Sequence, residues 1–108
     1  MKIDNVIHQP ARLRIMMILS AVDRADFKFL VSTLGVTKGN LNSHMDRLER
    51  AGFVEILKSF RGKLPYTEYR LTKNGHRALK DYWDVLDHLR NTNGAGDRRA
   101  EADEGISE

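Results

Sequence analysis

Lys38, Asn40, Asn42, Ser43 and Arg47 place two side-chain amides, a hydroxyl and two cations within one short stretch. On a helical wheel of about 100° per residue, Leu41, Met45 and Leu48 gather on one side. Gly39, Ser43, Asp46 and Arg50 lie opposite them, flanked by Asn40, Asn42 and Arg47. Such a face both donates and accepts hydrogen bonds, and Asn, Arg, Lys and Ser match the donor–acceptor patterns of base edges in the DNA major groove. Gly39 has no side chain to hold the backbone away from a phosphate or base. Thr37 precedes the first turn, where free backbone N–H groups also favour a phosphate.

A second group of cations follows. Lys58, Arg61 and Lys63 fall within six positions that contain no acid. A basic loop tip can reach the phosphate backbone or enter the minor groove. It can also serve only to keep a strand edge from aggregating.

Other chemistry is thinly represented. No nucleophile–base–acid arrangement, phosphate loop or paired-carboxylate site is visible, so the expectation is no enzyme and no cofactor. Asp84 and His88 stand at i, i+4 with Asp81 nearby, but three ligands without thiolate make a weak metal pattern. The expectation is therefore no metal. His44 falls near the inner edge of the polar helix, where packing suits it better than catalysis, and His8 and His76 have no evident partner in the sequence. The absence of cysteine excludes disulfides and thiolate sites.

Charge supports a polyanion partner. The formal net charge of +3 divides unevenly, with −3 after Arg90 and +6 over the first ninety residues. Each cation that meets a phosphate releases a counterion. With 108 residues, 41% hydrophobic and 31% charged, the chain is sized for one globular domain. No apolar run is long enough for a membrane helix, and Met1-Lys2-Ile3-Asp4-Asn5 lacks the layout of a secretion signal, so a cytoplasmic location is expected.

These residues must be positioned by elements that the pattern also suggests. A first helix over 10–21 opens on Pro10, with Leu13, Met16, Met17 and Ser20 on one face and Ile15, Ile18, Leu19 and Val22 on another. Asp23 to Asp26 forms a break. Asp26 caps a second helix from Phe27 to Leu34, with Phe27, Leu30, Val31 and Leu34 at helical spacing and Gly35 after its end. Thr37 caps a third helix reaching about Ala51, stopped by Gly52. The tight Gly35-Val36 connection makes a helix-turn-helix. Phe53–Phe60 and Tyr66–Leu71 alternate as strands about a Gly62–Pro65 loop, which reads as a hairpin. Thr72 caps a last helix over 73–90. The predicted fold is mainly α with a β-hairpin (α+β), a winged helix-turn-helix in the order α-α-α-β-β-α. It fills residues 1–90, and 91–108, with Ile106 as its one large apolar residue, is expected to be a disordered acidic tail.

The last helix has an apolar arc too wide for one partner. Leu79, Trp83 and Leu86 lie on one side and Tyr82, Val85 and Leu89 on another. The spacing of Leu79, Tyr82, Leu86 and Leu89 also fits an a/d heptad. A homodimer interface is expected from Ile3, Val6, Ile7, Tyr82, Trp83, Val85, Leu86 and Leu89, because two-fold dimers read paired half-sites.

Ala11–Ile15, Leu41–Val54 and Tyr69–Gly75 carry a family resemblance. Over about residues 5–90 the chain resembles the small stand-alone winged-helix regulators of bacteria and archaea, close to the ArsR and MarR types. The resemblance implies a dimeric DNA-binding repressor or activator. It implies groove reading by Lys38, Asn40, Asn42, Ser43 and Arg47, and phosphate or minor-groove contact by Arg61 and Lys63. The metal-sensing cysteines of many ArsR-type proteins are missing, as are the extra helices that form the ligand pocket of many MarR-type proteins.

The function expected from all of this is a sequence-specific double-stranded DNA-binding transcription regulator acting as a homodimer, its small-molecule effector, if it has one, unspecified. The alternative is a winged-helix protein-interaction module without sequence-specific DNA binding. An apolar or acidic third-helix face would mark that alternative.

Overall fold

The computed structural model describes the backbone of residues 2–101 and the side chains of residues 2–91. The elements are α1 (Pro10–Ser20), β1 (Ala25–Asp26), α2 (Phe27–Leu34), α3 (Lys38–Arg50), β2 (Val54–Arg61), β3 (Leu64–Leu71) and α4 (Lys73–Glu101). The strands form one antiparallel sheet in the order β1-β3-β2.

Local chemistry explains most of the boundaries. Gln9 caps α1 by accepting from the Arg12 N–H at 2.9 Å, with Pro10 in the first turn where its missing donor costs nothing. Asp26 accepts from the Phe29 N–H at 2.8 Å and starts α2. Thr37 accepts from the Asn40 N–H at 3.0 Å and starts α3. At the end of α3, the Gly52 N–H donates to the Glu49 carbonyl and the Phe53 N–H to the Leu48 carbonyl, both at 2.9 Å. That paired closure requires a left-handed residue, and Gly52 supplies it with φ of 81°.

The core is one cluster. Ile15, Met16 and Leu19 of α1 lie at its centre, against Leu30 and Leu34 of α2 and Leu41, Met45 and Leu48 of α3. Val54, Tyr69 and Leu71 close it from the sheet, and Leu79 and Tyr82 from α4. The chain before α1 also belongs to it. Asp4 Oδ1 accepts from the Val6 N–H at 2.9 Å, a backbone bond joins His8 to Asp4, and the turn so formed drives Ile7 fully into the core.

Four features depart from the sequence reading. First, β1 lies within the segment read as a break; a two-residue strand is too short to show alternation. Second, the hairpin is longer and tighter than expected, with a two-residue Gly62-Lys63 connection. Pro65 suggested a loop, yet it pairs with Phe60 inside β3. The register closes on Arg61 and Leu64, so the next pair exchanges no ladder hydrogen bonds and a residue without an N–H is tolerated there. Third, α4 continues past Arg90 to Glu101, so residues 91–101 of the expected tail are helical. No proline interrupts them, and each added residue of an existing helix gains a hydrogen bond without a new nucleation step. Residues 102–108 lie outside the described residues. Fourth, Ile7 and Tyr82, assigned above to a dimer interface, are 0% and 4% exposed within a single chain. Helical spacing shows that a face is apolar but not whether its partner is the same chain.

Candidate nucleic-acid interface

The helix α3 is set along its length by three inward anchors, Leu41, Met45 and Leu48, all essentially inaccessible. Their burial fixes the rotation of the helix, and the remaining positions face outward. Thr37, Lys38, Gly39, Asn40, Asn42, Ser43 and Arg47 are all exposed. The structure thus brings together on one surface all the third-helix residues singled out from the sequence. No acid falls between Thr37 and Met45. The Thr37 hydroxyl has a second task, because it is already the acceptor that caps the helix.

The two flanks of α3 differ. Asn42, Asp46 and Glu49 face the hairpin across an open cleft of about 420 Å³, whose other wall includes Ile56, Lys58, Thr67 and Tyr69. Asp46 pairs with Arg50 one turn on, at 2.5 Å, both side chains remaining exposed. The other flank is cationic. His44 lies there with Arg47 and with Arg12 of α1, and sequence inspection did not connect the three.

Arg12 organises that flank. Its Nε donates to the Val6 carbonyl at 2.6 Å and one Nη to the Asn5 carbonyl at 3.4 Å, tying the N-terminal turn to α1. Its other Nη lies 3.4 Å from His44 Nδ1. Guanidinium can only donate, so Nδ1 accepts and the ring proton sits on Nε2. Partial burial, then the charges of Arg12 and Arg47, hold the His44 pKa below its ordinary value. His44 is therefore a neutral donor at neutral pH. Arg12 is remote from α3 in sequence, and only tertiary packing makes the pair.

The hairpin carries the second cationic group. Lys58, Arg61 and Lys63 are all exposed, Lys58 along the strand and Arg61 and Lys63 at the tip. Arg61 stacks over the Tyr66 ring, its guanidinium carbon 3.9 Å from the ring centroid. The Tyr66 hydroxyl in turn donates to Asp26 at 3.3 Å, which links the hairpin to the start of α2. At the base of the wing, Arg70 and Glu55 form a cross-strand pair at 2.6 Å. Phe60, next to Arg61 in the chain, is 72% exposed, and nothing in its type or spacing marks it in the sequence.

The expected dimer residues that remain free are on a different surface. Trp83 is 38% exposed and meets Tyr82 edge-on, with ring centroids 5.4 Å apart. Ile3, Val6, Val85, Leu86 and Leu89 are half-buried, and Ile3, Val6 and Leu86 pack on the core while keeping part of their surface outside. His8 Nδ1 is 2.7 Å from the Tyr82 hydroxyl, joining the N-terminal turn to α4. Among the described residues, no group of three or more His, Asp or Glu side chains could hold a metal, and no helix is long and apolar enough to cross a membrane.

Comparison with known proteins gives the same architecture. A family model for the winged helix DNA-binding domain matches residues 11–89. An uncharacterized protein of Methanocaldococcus jannaschii is 34% identical over 93 residues, 84% of this chain and 97% of that one. The structure of a transcriptional regulator homologue from Pyrococcus horikoshii OT3 superposes with a TM-score of 0.76 at 30% identity, covering 82% of this chain and 88% of that one. A protein of Enterococcus faecalis V583 assigned to the MarR family of transcriptional regulators gives 0.67 at 26% identity, over 87% and 84% of the two chains.

Proposed function

The chain belongs to the winged helix DNA-binding domain family, and on that premise we propose that it is a sequence-specific transcription regulator that binds double-stranded DNA as a homodimer in the cytoplasm. In this reading α3 lies in the major groove. Lys38, Asn40, Asn42, Ser43 and Arg47 face the base edges and nearby phosphates, with Thr37 and Gly39 at the close-approaching helix start. Lys58, Arg61 and Lys63 hold the flanking backbone or minor groove. Regulation follows from occupancy, since a protein seated on a promoter blocks or recruits polymerase.

One observation carries the reading: the exposed surface from Thr37 to Ser43 is polar and cationic without a single acid, and a cationic hairpin stands beside it. The apolar or acidic face that would mark a protein-interaction module is not found on that part of α3. The homodimer reading is supported by the free surface of Trp83 and the half-buried Ile3, Val6, Val85, Leu86 and Leu89.

Salt dependence tests the wing's part in this. Each phosphate contact contributes about 0.9 to the slope of log affinity against log salt. Replacing Arg61→Ala together with Lys63→Ala should weaken binding to a labelled random-sequence duplex and flatten that slope by about 1–2. Fluorescence anisotropy across a salt series reads both quantities. An unchanged slope removes the hairpin tip from the contact surface.

A further inference from the structure

Among the exposed large hydrophobic side chains, Phe60 and Leu64 stand apart, each with 72% of its surface accessible. Both flank the hairpin tip, and strand geometry separates them. Side chains alternate between faces along a strand, and cross-strand partners share a face. Ile56 pairs with Tyr69, Lys58 with Thr67 and Phe60 with Pro65, while Arg61 pairs with Leu64. Ile56, Lys58 and Phe60 therefore form one row, running outward from the core. The first two line the cleft that faces α3, together with their partners Tyr69 and Thr67. Phe60 is the next position in that row, beyond the end of the cleft. Leu64 is on the opposite face with Arg61.

We propose that Phe60 is a wedge residue for DNA: with α3 in the major groove, its ring enters the adjacent minor groove and packs against a base step, bending the duplex. The proposal rests on the DNA-binding reading above. Apolar side chains inserted this way unstack a step and kink DNA by about 20–90°. An aromatic ring suits the task because every base offers a π-face, so the contact tolerates sequence.

Charge selects DNA as the occupant of this tip. Lys58 shares the ring's face one row nearer the core, and Arg61 and Lys63 are exposed at the tip just beyond it, so a duplex that takes up the ring also brings phosphates to the cations of this hairpin end. A second copy of the chain meeting it hairpin to hairpin would bring the same three cations against them. Like charges brought together in that way oppose association.

Leu64 supplies an internal control, since it matches Phe60 in exposure and differs in face. The test uses the full chain and a short random-sequence duplex carrying a fluorescence donor and acceptor at its two ends. Anisotropy reads binding and energy transfer reads end-to-end approach. The wild-type protein should bind and raise transfer. Phe60→Ala should bind about tenfold more weakly, with the same salt slope, and raise transfer little. Phe60→Trp should restore the bend, and Leu64→Ala should behave as wild type.

Phe60→Ala bending the duplex as wild type does would overturn the wedge, as would an equal loss in Leu64→Ala. A loss of self-association in Phe60→Ala, seen by sedimentation without DNA, would reassign the ring to a protein contact and overturn it too. Failure of the wild-type protein to bind any duplex would instead remove the DNA-binding premise, and the wedge with it.

Discussion

Asn42 offers a donor and an acceptor on one planar group, the complement of an adenine edge in the major groove. It is exposed on the flank of α3 that looks toward the hairpin, so it would face bases between the two anchoring elements. Lys38 and Arg47 are different in kind, because a cation gains from any phosphate. The two classes predict different behaviour. Asn42→Ala should cost about 1–3 kcal/mol on a preferred sequence and much less on random DNA. Competition between a selected duplex and a random one measures the difference, and equal losses on both would mean that Asn42 does not read bases. Residue types and helical spacing made these positions legible before the fold was known. Arg12 and Phe60 were not legible in the same way. Arg12 reaches the interface only through the packing of α1 on α3, and the role of Phe60 depends on strand parity and on which face of the hairpin meets the cleft.

At the level of elements, chemical punctuation carried the reading. Asp26, Thr37, Gly35 and Gly52 mark the limits of α2 and α3 because each satisfies backbone groups that a helix end leaves open. Where an end lacks such a mark, composition misled. The stretch after Arg90, with Ile106 as its one large apolar residue, reads as a tail, and Pro65 reads as part of a loop. The joint that aligns α3, the hairpin and α4 is a further case. Thr72 donates through its hydroxyl to the Gly52 carbonyl at 2.6 Å and accepts from the Gly75 N–H at 2.9 Å. Gly75 then passes so close to the end of α3 that a Cβ there would lie 2.2 Å from the Phe53 carbonyl oxygen and 2.9 Å from Leu71. Backbone cannot yield as a flexible side chain can. Gly75→Ala should therefore destabilise the fold by about 1–3 kcal/mol, despite the better helix propensity of alanine. Chemical denaturation checks this, and a variant as stable as wild type would show that the joint is looser than its geometry indicates.

For the whole molecule, the question is what lies against the free side of α4. Leu79 and Tyr82 are consumed by the chain's own core, and Leu86 packs on it in part, whereas Trp83 stays substantially open. Sequence periodicity showed an arc too wide for one partner but assigned Tyr82 and Ile7 to the wrong side of the boundary. The corrected set is smaller and lies on both sides of the arc, Trp83 and Leu86 on one and Val85 and Leu89 on the other, with Ile3 and Val6 from the N-terminal turn. If Trp83 packs between two chains, placing a charge there should separate them, because an unpaired buried charge is strongly disfavoured. Trp83→Glu should sediment as a monomer with unchanged helix content while the wild-type chain sediments as a dimer. A wild-type monomer would confine the chain to a single half-site.

Two-fold sequence recognition is tested by selection from random double-stranded DNA by the purified full chain at moderate salt, followed by sequencing of the retained duplexes. A homodimer should enrich a motif with two-fold symmetry, its half-sites about one helical turn apart, where two α3 helices can enter successive major grooves. Failure to retain any DNA as the salt is lowered would contradict that recognition, since the exposed surface of α3 and its cationic hairpin would then serve some other partner.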